Sequence, residues 1–239
     1  MFYYLIPSFL TYNLILVAAA VIPALFLMGK VYRSDRLEPE SPRLLWTLAK
    51  AGVLAALIAL VAERLLGAVL DAAVSDSPLY EILLYFGVVG ISEEGAKYYL
   101  LRRRTWRSAE FNCQYDGVVY AVFVSLGFAL WENISYVLHF GFSTAVVRAL
   151  TAIPGHSCFG VFMGVFYGLA RKAENRGLPD VSRRNQTLAF LVPALLHGAY
   201  DYIASMEGNA WFFVAFITAL FFLSYRLVSR MSREDRYIV

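Results

Sequence analysis

LLWTLAKAGVLAALIALVAERLLGAVL, residues 44–70, decides the fold. The stretch carries only three charged side chains, Lys50, Glu63 and Arg64, and none between Ala51 and Ala62. At 1.5 Å per residue a helix of this length crosses the ~30 Å hydrocarbon core of a bilayer. Working outward, six further blocks are apolar enough to do the same: 2–28, 79–101, 117–139, 144–170, 188–205 and 211–227, of which 188–205 is the shortest. The composition agrees, with 59% hydrophobic and only 16% charged residues in a chain of 239, far from a soluble domain. The expected fold is all-α, a polytopic transmembrane helix bundle of about seven spans. It forms a single integral membrane domain over 1–239, with no repeat, low-complexity tract or second soluble domain.

The charges report topology. Of the 21 lysines and arginines, 17 fall in the connections 30–43, 102–116 and 171–187 and in the tail from Arg226. The intervening connections, 71–78, 140–143 and 206–210, contain none. The positive-inside rule then places the N-terminus outside and the C-terminus in the cytoplasm. The net charge of +3 therefore belongs to loops beside a lipid bilayer, and no nucleic-acid partner is implied. The first block has no signal-peptide cleavage pattern before it and reads as a retained helix. Cys113 sits in a loop and Cys158 in an apolar block, so neither a disulfide framework nor a CxxC metal knuckle is indicated. Within the blocks, Lys50 can snorkel and Arg64 can neutralise its neighbour Glu63.

Ionisable side chains at bilayer depth cost at least ~2.5–3.5 kcal/mol each on insertion scales, so each needs a partner, a wet cavity or a function. The third block reads Gly90-Ile-Ser-Glu-Glu-Gly-Ala-Lys97. Lys97 lies four residues after Glu93 and three after Glu94, within reach of both on a helix surface. Two adjacent carboxylates in a low dielectric do not both ionise cheaply, which suits one of them to general-base work; a structural Glu–Lys clasp between helices is the other reading. The fourth block carries Glu132 and Asn133 beside Trp131, with Glu132 either buried or facing water near the outer interface. The fifth holds His156 on one stripe with Gly160, Gly164 and Gly168, a face for close helix contact, and Pro154 able to bend the helix beside the histidine. The sixth places His197 and Asp201 one turn apart, where a carboxylate can orient an imidazole or merely clamp a buried polar pair. His139 sits at a block end. Helix directions put Glu93, Glu94, His156 and His197 near the middle of the bilayer, with Glu132 and Asp201 toward the outer side, around a cavity that opens outward.

Two histidines with carboxylates can hold a zinc ion, His156, His197 and Glu132 being the candidate ligands, with a further glutamate as base. The same residues can also work without metal, a glutamate activating water while His197 and Asp201 stabilise the oxyanion. No HExxH sequence is present.

Taken in order, Glu93-Glu94-x-x-Lys97, Phe128-x-x-x-Glu132-Asn133, His156-x-x-x-Gly160 and His197-x-x-x-Asp201 fall on four successive blocks within a motif-bearing core of about 79–205. This series resembles the PrsW family of intramembrane proteases. It is more distantly similar to the type II CAAX prenyl endopeptidases and related bacteriocin-immunity proteins, from which Lys97 and Glu132 depart. The resemblance implies an intramembrane endopeptidase of the bacterial plasma membrane. Its implied substrate is a single-pass membrane protein, typically an anti-sigma factor, cut on the extracytoplasmic side. It also implies catalytic roles for Glu93, Glu94 and His197, with Glu132, His156 and Asp201 as metal ligands or stabilisers of the tetrahedral intermediate and Lys97 and Asn133 in support. The alternatives are a proton- or ion-coupled transporter, which often shows inverted repeats not evident here, a CAAX-type prenyl endopeptidase, and a non-catalytic scaffold.

Overall fold

Ser41 and Pro42 open the helix that contains the deciding stretch. The Ser41 side chain accepts the Leu44 amide at 3.3 Å, and Pro42, which has no N–H to lose, occupies the first turn. The computed structural model describes residues 2–206, 208 and 210–238, and the surroundings of side chains 11 and 13 onward within them. In chain order the helices are α1 Phe2–Arg33, α2 Pro42–Val74, α3 Tyr80–Ile82, a π-helical segment Leu83–Gly90, α4 Ile91–Thr105, α5 Asp116–Phe140, α6 Phe142–Leu150, α7 Ala152–Asn175, α8 Pro179–Ser205 and α9 Ala210–Arg233. Among the described residues the only extended pairing is an isolated bridge between Cys113 and Tyr237. The all-α membrane bundle is as expected.

Among the described residues, six helical stretches are long and apolar enough to cross a membrane: Asn13–Arg33, Pro42–Val74, Asp116–Phe140, Phe142–Asn175, Pro179–Ser205 and Ala210–Arg233. The block at 79–101 is not among them. Its winding changes from π to α at Gly90, and its α-helical part carries Glu93, Glu94, Lys97 and Arg102 to Arg104. Within the stretch Phe142–Asn175, Thr151 interrupts the helical winding between α6 and α7. The bend thus falls at Thr151, and Pro154 lies in the first turn of α7, where proline is readily accommodated.

α5 is the hub. It packs against α1, α2 and α7, and Val118 to Val122 along its first half are completely buried. Small residues allow these contacts to close. A Cβ on Gly52 would lie 2.1 Å from the Val124 carbonyl oxygen, and one on Gly127 would lie 2.1 Å from that of Ala49, so α2 and α5 cross backbone to backbone. On the opposite side of α5, Gly160, Gly164 and Gly168 of α7 leave no room for a Cβ against Ser125, Val118 and Gln114. The glycine stripe beside His156 is therefore a packing face, and it holds the histidine toward α5.

Candidate active site

The Leu83–Gly90 segment lies on α8 through another close contact. A Cβ at Gly90 would stand 2.6 Å from the Ala194 carbonyl oxygen, and one at Gly198 2.7 Å from the Phe86 ring. This seats the first turn of α4, with Glu93 and Glu94, beside His197 of α8. α7 brings His156 and α5 brings Glu132, and all six candidate catalytic residues of the sequence, with Lys97 and Asn133, join one connected polar cluster.

Lys97 is its centre. The ammonium, wholly buried, donates to Glu94 Oε1 at 2.7 Å and Glu93 Oε2 at 3.1 Å, and lies 3.1 Å from His156 Nδ1. It also sits 3.8 Å from the centre of the Phe128 ring, a cation–π contact. An ammonium has no lone pair, so Nδ1 accepts and the ring proton of His156 resides on Nε2. That nitrogen donates to Glu132 Oε2 at 2.7 Å. The other Glu132 oxygen meets Arg148 Nη2 at 2.9 Å, and Arg148 Nε donates to Asn133 Oδ1 at 2.7 Å. Asn133 in turn donates to the Ala129 carbonyl. Glu132 does not simply face water, as its place along the helix allowed; it carries an imidazole and a guanidinium.

His197 Nδ1 donates to Glu94 Oε1 at 2.9 Å and lies 3.6 Å from Glu93 Oε2, while its Nε2 faces Asp201 Oδ2 at 3.4 Å. The Phe159 ring stacks on this imidazole at 4.8 Å, and the His156 ring stands perpendicular to it at 5.2 Å. Both histidines thus turn Nδ1 toward the glutamate pair and Nε2 toward a second carboxylate.

Glu93, Glu94, His156 and His197 each present a donor atom, and the four atoms lie within 4.8 Å of one another. Mixed imidazole and carboxylate donors suit zinc, and an outer carboxylate on the far nitrogen of each histidine is the usual support for a zinc-bound imidazole. Glu94 Oε2 is buried without a hydrogen-bond partner, a free acceptor of the kind an ion would take up. The set fits a metal in donor type and spacing, provided that Lys97 releases His156 Nδ1. Glu132 lies outside this group of four.

A cavity of about 530 Å³ adjoins the cluster, lined by Glu93, Glu132, His197 and Asp201 together with Glu63, Arg148 and Tyr136. Glu94, Lys97 and His156 are behind its wall. It runs toward His139, the end of α5 remote from the basic loops. Two participants escaped the sequence reading. Arg64 is the expected neutraliser of Glu63, but among the described residues the two form no ion pair. Ala56, Leu60, Glu63 and Arg64 together line one stretch of the cavity, and the i, i+4 and i, i+3 spacing from Ala56 to Leu60 to Glu63 is the signal that places Glu63 there. Arg148 lies within the 144–170 block, and an arginine at that depth beside a Glu132 with no partner in its own block is a complementary pair of clues.

Fold and site together define a polytopic membrane hydrolase with a buried carboxylate–imidazole centre. Residues 40–226 match the family described as PrsW family intramembrane metalloprotease, and the chain belongs to that family. It is 34% identical to a protease PrsW of Oceanobacillus iheyensis over 189 residues, covering 79% of this chain and 82% of that protein. It is 32% identical to one of Geobacillus kaustophilus over 218 residues, covering 90% and 91%, and 37% identical to one of Bacillus subtilis over 138 residues, covering 57% and 62%. No solved structure matches the chain. The protein is a membrane-embedded protease, multi-pass in the bacterial plasma membrane, and the transporter and prenyl-endopeptidase alternatives lose their ground.

Proposed function

We propose that this protease hydrolyses a single-pass membrane protein, by resemblance an anti-sigma factor, with Glu93 as the base that activates water. The carrying observation is the asymmetry of the glutamate pair: Glu93 lines the cavity, whereas Glu94 is 0% exposed and bound by Lys97 and His197. One carboxylate is thus available to water while the other is committed to holding the site. The positive-inside rule, applied to the basic connection before α5, puts the cavity mouth on the extracytoplasmic side and the C-terminus in the cytoplasm.

In this reading Glu93 takes the proton of a water from the cavity as its oxygen attacks the scissile carbonyl, and later returns it to the leaving amine. His197, turned toward Glu94 on one side and Asp201 on the other, stabilises the oxyanion. Lys97 keeps Glu94 ionised and limits the repulsion between the two carboxylates, and Glu132 and Asp201 orient the imidazoles. His156, His197 and Glu94 would hold a metal, leaving Glu93 free. A zinc ion there supplies Lewis acidity for the carbonyl and acidifies water. The reach of Lys97 into the same donor set favours a metal-free version with the same base.

Cleavage of a single-pass substrate by the purified protein, with and without chelator and with metal content measured, tests the assignment. Glu93→Gln and His197→Ala should abolish cleavage while the protein stays monodisperse. Undiminished cleavage in both would overturn these roles, and chelator-resistant cleavage by metal-free protein would select the glutamate version.

A further inference from the structure

A second group of carboxylates converges at the opposite end of the bundle. Asp35 and Glu40 lie in the connection between α1 and α2, and Asp116 is the first residue of α5. One oxygen of each lies within 4.8 Å of the other two. All three are buried, Asp35 to 7% exposure and Asp116 completely. Neither oxygen of Asp35 meets hydrogen-bond geometry with any partner, although the Leu37 and Glu38 amides lie nearby. Asp116 Oδ2 accepts the amides of Asn112 at 3.0 Å and Cys113 at 2.7 Å, but its Oδ1 is free. From the tail, Asp235 accepts the Tyr115 amide at 2.9 Å and leaves Oδ2 unpartnered. Among the described residues, no lysine or arginine forms an ion pair with any of the four.

Buried carboxylate oxygens are almost always hydrogen-bonded or paired with a cation. A shared proton would neutralise a single charge among several. A divalent ion would neutralise two and occupy the free oxygens of Asp35 and Asp116 together. The donors are hard oxygens, the set taken by magnesium and calcium rather than by zinc.

We propose that Asp35, Glu40 and Asp116 bind a hard divalent cation, magnesium or calcium, at the basic end of the bundle, apart from the catalytic cluster. The ion would join the α1–α2 connection to the start of α5, two segments that are also tied by Asn112 Nδ2 donating to Glu38 Oε2 at 3.1 Å. The tail lies beside this junction and pairs with the start of α5 through Gln114 N to Arg236 O at 3.2 Å and Ile238 N to Asn112 O at 2.8 Å. The inference does not depend on the proteolytic roles assigned above.

The thermal midpoint of the full-length protein in detergent, followed by tryptophan fluorescence, provides the test. Starting in EDTA at constant ionic strength, magnesium or calcium chloride should raise the midpoint saturably, by roughly 5–10 °C at a hundredfold excess over the dissociation constant. Asp35→Asn, and independently Glu40→Gln, should raise the midpoint in EDTA and remove the response. His197→Ala should retain it, which separates this site from any metal at the catalytic cluster. The proposal is overturned if the wild type fails to respond, if both carboxylate variants respond like the wild type, or if His197→Ala alone abolishes the effect.

Discussion

Two groups of buried carboxylates occupy opposite ends of this molecule's interior, and they are compensated differently. Around Glu93, Glu94 and Glu132 the chain supplies its own cations and donors: Lys97, Arg148 and two imidazoles, all within 2.7–3.6 Å of a carboxylate oxygen. Around Asp35, Glu40 and Asp116 it supplies backbone amides to Asp116 and no lysine or arginine among the described residues. The first group borders a cavity, the second a junction of loops and tail. Internal compensation keeps a site assembled while one carboxylate stays free to react. Where compensation is missing, the remaining valence is an opening for something outside the chain.

The contrast can be broken at several points. The largest effect expected is on chemistry. Glu93→Gln removes the base and should lower the rate of substrate cleavage by roughly 10²–10⁴-fold, with an unchanged elution profile in detergent. Next, Lys97→Met leaves two buried carboxylates without their cation and should cost about 3–5 kcal/mol of stability. Adding Glu93→Gln to that variant should restore part of the loss, read as a non-additive thermal midpoint. If Lys97→Met is as stable as the parent, the idea of internal compensation fails. Arg148→Gln is milder, because both Arg148 and Glu132 retain some solvent contact; about 1–2 kcal/mol is expected, with reduced cleavage because His156 loses a fixed partner. The smallest effect is expected from Ser41→Ala, which removes the cap that follows Glu40 and should cost about 1 kcal/mol.

Much of this was legible in the chain because both strong signals are local. Long apolar blocks gave an all-helical membrane bundle, and the i, i+3 and i, i+4 spacings placed Glu93, Glu94 and Lys97 together and aligned His156 with its glycines. The 79–101 block is helical from Tyr80 onward but winds as a π segment from Leu83 to Gly90 before turning α-helical, and no 3.6-residue periodicity anticipates that change of phase. Glu63 was missed because its sequence neighbour Arg64 looked like a partner, whereas both line the cavity without pairing among the described residues. Arg148 was missed because its partner Glu132 is supplied by another helix. The acidic junction was beyond reach for a related reason: Asp35, Glu40, Asp116 and Asp235 are scattered over 200 positions, and in a one-dimensional reading each belongs to an ordinary polar loop or helix end.

The glycine crossings also decide which seams of the bundle are closed. A helix with its side chains is about 10–12 Å across, and the α5–α7 seam at Gly160, Gly164 and Gly168 is closed to the width of a hydrogen atom on Cα. α2 and α5 are pinned just as tightly at Gly52 and Gly127, but beyond that pin the cavity occupies the space between them, edged by the exposed side chains of Leu60, Trp131 and Tyr136. For the proposed single-pass substrate, the two helices would act as a pair of shears fixed at one rivet, with the doorway where the cavity lies between the blades.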